Sequence, residues 1–226
     1  MNHKAPDIVY IDYNKTKYIN RELGDSVHVW SFFHKGTQDD IQELLDRVEL
    51  SRASNLVFQK DRNRFVRDRV NLKKILSQYI GSCPGDVRVS YKENGKPYLK
   101  NSGIEFNVSH SRDLSVYAIS KSEIGVDIEK IREIPYLEEI VRHFFTEKEA
   151  DQVNSMEGLQ RAEIFFKIWT QKEAIGKMLG LGLGYLGKDM SKYSVETFTP
   201  HIQYVGALSL GSTRFLSILG TRLQRQ

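Results

Sequence analysis

Apolar and polar positions alternate along Val27-His28-Val29-Trp30-Ser31-Phe32, a run rich in β-formers, and this predicts a strand. The period then changes. Asp39 to Leu50 carries Ile41, Leu44, Leu45 and Val48 at helical spacing. A longer helix is predicted from about Ser54 to Tyr79, with Phe58, Phe65, Leu72, Leu76 and Tyr79 along its apolar side and Gly81 and Pro84 ending it. Val87 to Tyr91 reads as a strand and Glu93-Asn94-Gly95-Lys96-Pro97 as a turn. Ile104 to Val108 and Ser115 to Ser120 read as paired strands around a loop at Ser109 to Asp113, and Ile124 to Ile128 as a further strand. Helices are predicted at about Tyr136 to Phe144, Thr146 to Val153 and Leu159 to Leu179, and short strands from Tyr193 to Ile218.

This order argues for an α+β fold, with helices packed on largely antiparallel sheets. Tandem repeats, low-complexity segments and an obvious linker are all missing from the pattern. A division near Gly103 would give an N-terminal lobe of residues 1–103 and a C-terminal lobe of residues 104–226. At 226 residues the chain is long enough for one large domain or two small ones.

Composition narrows the function classes. The single cysteine, Cys83, excludes an intrachain disulfide and a Cys-based zinc site. No run approaches the roughly 20 apolar residues of a membrane helix, and the first residues lack an apolar signal core, so a cytoplasmic setting without membrane contact is expected. The net charge of +4 suits an anionic partner without choosing among nucleic acid, acidic protein and phosphorylated small molecule.

The candidate chemistry begins at Gly125-Val126-Asp127-Ile128-Glu129. On a strand, Asp127 and Glu129 share one face and Ile124, Val126 and Ile128 the other. Two adjacent carboxylates need a positive neighbour, and oxygen-only ligands suit Mg²⁺. A solvated strand face paired with Lys130 fits the same residues. In the run from Phe166 to Lys177, Trp169, Glu173 and Lys177 lie on one side of a helix. Glu173 and Lys177 could form an ordinary ion pair, or serve as a third metal ligand beside a phosphate-binding lysine. His110 lies between Ser109 and Ser111 at a strand end, where it could meet an anion or merely complete a turn.

The predicted helix around Arg64 is basic. From Arg52 to Lys74 there are eight Lys or Arg against two acids, Asp61 and Asp68, which fits phosphate binding or a solvated charged face. Gly182-Leu183-Gly184-Tyr185-Leu186-Gly187 matches G-x-G-x-x-G, but it follows a predicted helix. A dinucleotide fingerprint must follow a strand and open a helix, so this run is read as a helix C-cap and loop.

Weak singly, these motifs are specific in series. Asn107-x-Ser109-His110-Ser111, Ile124-Gly125-Val126-Asp127-Ile128-Glu129, Phe144-Phe145-Thr146 with Glu149, and Trp169-x-x-Lys172-Glu173-Ala174-x-x-Lys177 resemble the signature series of the Sfp-type 4′-phosphopantetheinyl transferases. Gly95-Lys96-Pro97 and the helix carrying Arg64-Phe65 are also similar, and the resemblance runs from about Val27 to the C-terminus.

That resemblance implies a monomer of two similar α+β lobes related by a pseudo-twofold axis, with coenzyme A between them. It implies that Asp127, Glu129 and Glu173 hold Mg²⁺ against the coenzyme A pyrophosphate. Ser109, His110, Lys172 and Lys177 would lie along the phosphates, and Lys60, Arg64, Arg69 and Lys96 at the adenine and 3′-phosphate end. Glu173, Lys177 and His110 become the catalytic candidates. The partner implied is an apo acyl, peptidyl or polyketide carrier protein rather than nucleic acid. Two other classes stay open on the residues alone: a Mg²⁺-dependent coenzyme A or nucleotide pyrophosphohydrolase, and a non-catalytic binder of coenzyme A or RNA.

Overall fold

The computed structural model of the chain describes residues 7–13, 15, 22–34, 42–186 and 188–211. It is α+β. The first sheet has the order β1-β2-β6-β5, built from β1 (Ile8–Asp12), β2 (Val27–Phe33), β6 (Leu114–Ser120) and β5 (Glu105–Ser111). β1 runs parallel to β2, and the other pairs are antiparallel. A two-stranded sheet joins β3 (Val89–Tyr91) to β4 (Pro97–Leu99). The third sheet, β7-β9-β8, is antiparallel and comprises β7 (Ile124–Lys130), β9 (Tyr204–Leu210) and β8 (Val195–Phe198). Because β5 and β6 share a sheet with β2, a division at Gly103 runs through a sheet rather than between sheets.

The alternation along β2 has its expected cause. Val27 and Val29 face a core shared with β6, β7 and β9, while Trp30 and Phe32 face a second core against α2 (Gln59–Ile80). Leu72, Ile75 and Leu76 fill that second core from the helix side. A third apolar cluster binds α3 (Leu137–Phe144), α4 (Glu147–Asn154) and α5 (Gly158–Leu179), with Phe145, Phe165 and Phe166 at its centre. Among the described residues, no helix is long and apolar enough to cross a membrane.

Three expectations are corrected. The helix expected over Asp39 to Leu50 is instead a 3-10 turn at Gln42–Leu44 followed by α1 (Arg47–Ser54); residues 39–41 lie outside the described set. Asp46 is the N-cap of α1. Its side chain accepts from the Glu49 amide and the Glu49 carboxylate accepts from the Asp46 amide, a reciprocal capping box that fixes the start. Val48 consequently points outward, 73% exposed. The long helix begins at Gln59 rather than Ser54, and its cap residue Phe58 is exposed and extended instead of packed.

The loop expected at Ser109 to Asp113 is mostly strand. Ser109, His110 and Ser111 pair with Val116, Ser115 and Leu114, and only Arg112 and Asp113 turn the hairpin, with Arg112 at φ 55°. The C-terminal strands agree with the pattern as far as Gly211, and residues 212–218 lie outside the described set.

Helix α5 lies directly on β7. A Cβ at Gly125 would stand 1.9 Å from the Ala174 carbonyl oxygen and 2.4 Å from the Met178 nitrogen, so the two backbones touch there and only glycine fits. This contact sets Glu173 and Lys177 over the strand that carries Asp127 and Glu129. After α5, Gly180 adopts φ 71° as its cap and Gly182–Tyr185 forms a 3-10 turn, so the glycine run follows a helix and opens no α-helix.

Candidate active site

The site forms where the edge strands β5 and β7 face each other. Side chains on alternate positions of β5 reach across: Asn107 Oδ1 accepts the Val126 amide at 2.9 Å, Ser109 Oγ the Ile128 amide at 3.2 Å, and Ser111 Oγ the Lys130 amide at 3.1 Å. The same two hydroxyls donate to carboxylates, Ser109 to Asp127 Oδ1 at 2.8 Å and Ser111 to Glu129 Oε2 at 2.7 Å. From α5, the Lys177 ammonium meets Asp127 Oδ1 at 2.7 Å and Ser109 Oγ at 3.0 Å. The Glu173–Lys177 ion pair that spacing allowed gives way to Lys177–Asp127, and the solvated-face reading of Asp127 fails because that residue is 6% exposed.

The electrostatics follow from crowding like charges. Burial pushes the Glu173 carboxyl above its ordinary range; the Asp127 and Glu129 charges add to this and Lys177 opposes it. Glu129 is raised by burial and by Asp127, against the hydrogen bond from Ser111. Asp127 Oδ2 is buried without a hydrogen-bond partner. Among the described residues, no three His, Cys, Asp or Glu side chains are gathered as a ready-made metal cage. Magnesium does not require one: it is ordinarily held by one or two carboxylates, with substrate phosphates and water completing its shell. An all-oxygen donor set with an unpartnered buried oxygen therefore fits that ion.

His110 lies on the opposite face of β5, across from Ser115 on β6. Desolvation lowers its imidazole below the usual histidine value; Arg64 and Lys177 add to this, and Asp68 and Asp127 pull the other way. Beside it lies a buried network that the sequence did not indicate. Ser115 donates to Asp68 Oδ1 at 2.7 Å, and His34 Nε2 lies 2.7 Å from Ser115 Oγ. A serine hydroxyl carries one proton, so with Asp68 ionised His34 is the donor to Ser115. Burial, then Arg67, His110 and Arg64, press His34 down to about 3, so it is neutral in the fold.

The unfolded chain takes up that proton as pH falls below about 6.5. Stability carried by neutral His34 is therefore present above that pH and lost as pH falls from about 6.5 towards about 3. Asp68, raised mainly by burial, acts in the opposite sense. Replacing His34 with glutamine, which keeps a donor but cannot titrate, is expected to flatten the stability profile below pH 6.5 by up to about 1.4 kcal/mol per pH unit. Denaturant melts from pH 7 to 4 measure this, and parallel wild-type and variant profiles would refute it.

The structure thus places Ser109, Asp127, Glu129, Glu173 and Lys177 along the seam of β5, β7 and α5, with His110 on the other face of β5, within electrostatic reach of Asp127, Lys177 and Arg64; Arg64 is paired to Asp61 at 2.9 Å. The remaining candidates have other partners. Lys60 is exposed at the start of α2, over the Phe58 ring. Arg69 is buried against Glu49 at 3.6 Å and the Tyr91 hydroxyl. Lys96 sends its ammonium to the Met178 carbonyl at 2.7 Å, at the end of α5. Lys172 is fully buried, 2.9 Å from both Glu149 Oε2 and the Lys188 carbonyl.

Comparison with known proteins decides the family. The model of the 4′-phosphopantetheinyl transferase superfamily matches residues 123–217, and that of the 4′-phosphopantetheinyl transferase N-terminal region matches residues 34–122. The chain is 37% identical over 172 residues to the 4′-phosphopantetheinyl transferase HetI of Nostoc sp., covering 73% of each chain. The chain belongs to the 4′-phosphopantetheinyl transferase superfamily. A putative 4′-phosphopantetheinyl transferase of Synechocystis sp. is 32% identical over 63% of this chain and 59% of its own. The transferase Sfp of Bacillus subtilis is 29% identical over 55% of each. As a 4′-phosphopantetheinyl transferase, the protein is an enzyme of the class that moves the phosphopantetheine group of coenzyme A onto carrier proteins. The two family segments meet between residues 122 and 123, in the link from β6 to β7.

Proposed function

We propose that the reaction runs at the seam between β5, β7 and α5, with Asp127, Glu129 and Glu173 as the set that holds Mg²⁺. The observation that carries this reading is the buried, unpartnered Asp127 Oδ2, on the strand that also carries Glu129 and under the helix that carries Glu173. When bound, the ion neutralises pyrophosphate charge and orients the reacting phosphate.

The chain's own groups supply the rest. The hydroxyl oxygen of the carrier serine forms a bond to the β-phosphorus of coenzyme A, and the bond from that phosphorus to the bridging oxygen breaks. Glu173 takes the serine proton, and burial raises its affinity for that proton above that of an ordinary carboxylate. Lys177 and His110 face the charge that appears on the departing 3′,5′-ADP, where cationic and hydrogen-bonding groups act most strongly. Arg64, beside His110, extends the positive field, and Lys60, Arg69 and Lys96 are assigned to the adenine and 3′-phosphate end. Coenzyme A would occupy a cleft between two lobes, and a monomer that acts on an acyl, peptidyl or polyketide carrier in the cytoplasm completes the proposal.

Intact-mass analysis of an apo carrier incubated with the enzyme, coenzyme A and Mg²⁺ tests this. The expected result is a gain of one phosphopantetheine group, lost with a chelator and restored by Mg²⁺. Free phosphopantetheine with an unmodified carrier would point to a pyrophosphohydrolase, and a chelator-insensitive gain would overturn the metal assignment.

A further inference from the structure

We infer that Asn107, Ser109 and Ser111 form a positioning ladder for the carboxylates, and that Ser111 fixes Glu129. The inference rests on the reading of Asp127, Glu129 and Glu173 as the metal-holding set. Its basis is donor accounting. A serine hydroxyl has one proton and can accept as well. Ser111 gives its proton to Glu129 Oε2 at 2.7 Å and accepts the Lys130 amide at 3.1 Å. Ser109 gives its proton to Asp127 Oδ1 at 2.8 Å and accepts the Ile128 amide at 3.2 Å.

Both hydroxyl protons are committed within the protein, so neither can also be donated to a phosphate while its carboxylate is held. Asn107 supplies the third rung through its carbonyl oxygen alone: it accepts the amide of Val126, and the preceding residue, Gly125, has no carboxylate to hold. The division of labour is therefore positional. The two serines that face Asp127 and Glu129 each join the backbone of β7 and the carboxylate of the preceding residue, which ties carboxylate direction to strand register. Glu129 needs this more than Asp127 does: Asp127 also has the Lys177 ammonium at 2.7 Å, whereas Arg132 approaches Glu129 only to 3.9 Å.

Partners that orient metal ligands typically change metal affinity about 10- to 100-fold when removed. Ser111→Ala is the test, with Mn²⁺ as a paramagnetic probe titrated against enzyme and coenzyme A in the absence of carrier, so that no turnover enters the readout. The expected result is Mn²⁺ affinity lower by about 10-fold or more, with a parallel rise in the Mg²⁺ needed for half-maximal activity. At saturating Mg²⁺ the KM for coenzyme A should stay within about twofold, since the inferred contact is to a carboxylate rather than to the substrate. Unchanged Mn²⁺ affinity with a raised KM for coenzyme A would overturn the inference and make Ser111 a phosphate donor. A lower Tm with neither constant changed would also overturn it, leaving only a structural rung. Wild-type enzyme that binds no Mn²⁺ would remove the metal reading itself. Should Ser111→Ala fail to fold, Ser111→Cys, close in volume and a weak donor, carries the same test.

Discussion

Glu173→Ala is expected to lose turnover by about 10²- to 10⁴-fold, the contribution ordinarily made by a placed general base, while coenzyme A still binds measurably by calorimetry. The stability of the variant separates this role from a structural one. Burial and the charges of Asp127 and Glu129 raise the proton affinity of Glu173 in the fold, so at neutral pH its ionised form is held at a cost. Removing it relieves that repulsion, and the metal-free variant should melt no lower than the wild type. Full activity in the variant would sink the assignment; lost activity together with a sharply lower Tm would make Glu173 part of the framework.

Lys172→Ala is expected to have the opposite profile. Its ammonium sits fully buried between Glu149 Oε2 and the Lys188 carbonyl, and the same Glu149 oxygen accepts the Thr146 amide in the capping box of α4. Truncation strands a buried carboxylate, a change that costs about 3–5 kcal/mol. For a chain of this length that lowers Tm by roughly 10 °C. Lys172→Met combined with Glu149→Gln removes both charges and should recover much of the loss, because an apolar replacement of a buried pair is far cheaper than breaking it. If Lys172 instead served coenzyme A, Lys172→Met would raise KM for coenzyme A while leaving thermal stability nearly intact. That outcome would refute the structural role.

What could be read beforehand, and what could not, divides along sequence distance. Strand β7 was readable because Ile124, Val126 and Ile128 alternate with Asp127 and Glu129, and the buried face is the apolar one. The start of α1 was also written locally, in Asp46-x-x-Glu49. The apolar spacing of Ile41, Leu44, Leu45 and Val48 competes with it, and a period cannot say that Val48 faces water. β1 was missed because a five-residue edge strand gains its definition from parallel pairing with β2, which periodicity does not report.

At the site, residue types name candidate acids and a candidate base, but not who partners whom. The Lys96 ammonium finds a carbonyl 82 positions away, and Lys172 finds its acid on another helix. Neither partner is visible in the spacing of the residues around it. The β5 ladder, by contrast, carried a local signal in the polar residues at alternate strand positions, Asn107, Ser109 and Ser111. A strand ending at Val108 leaves Ser109 and Ser111 in the expected loop, whereas β5 runs on to Ser111.

The contact at Gly125 has a consequence for how this enzyme can vary. Where two elements meet through side chains, their spacing can drift as one residue grows and its neighbour shrinks. Here backbone rests on backbone, with the Ala174 carbonyl where a methyl group would be. The reach from α5 to the acids on β7 is therefore set by atoms every amino acid shares. Substitutions around the seam can alter what its side chains bond to, but the gauge between strand and helix has no adjustable part.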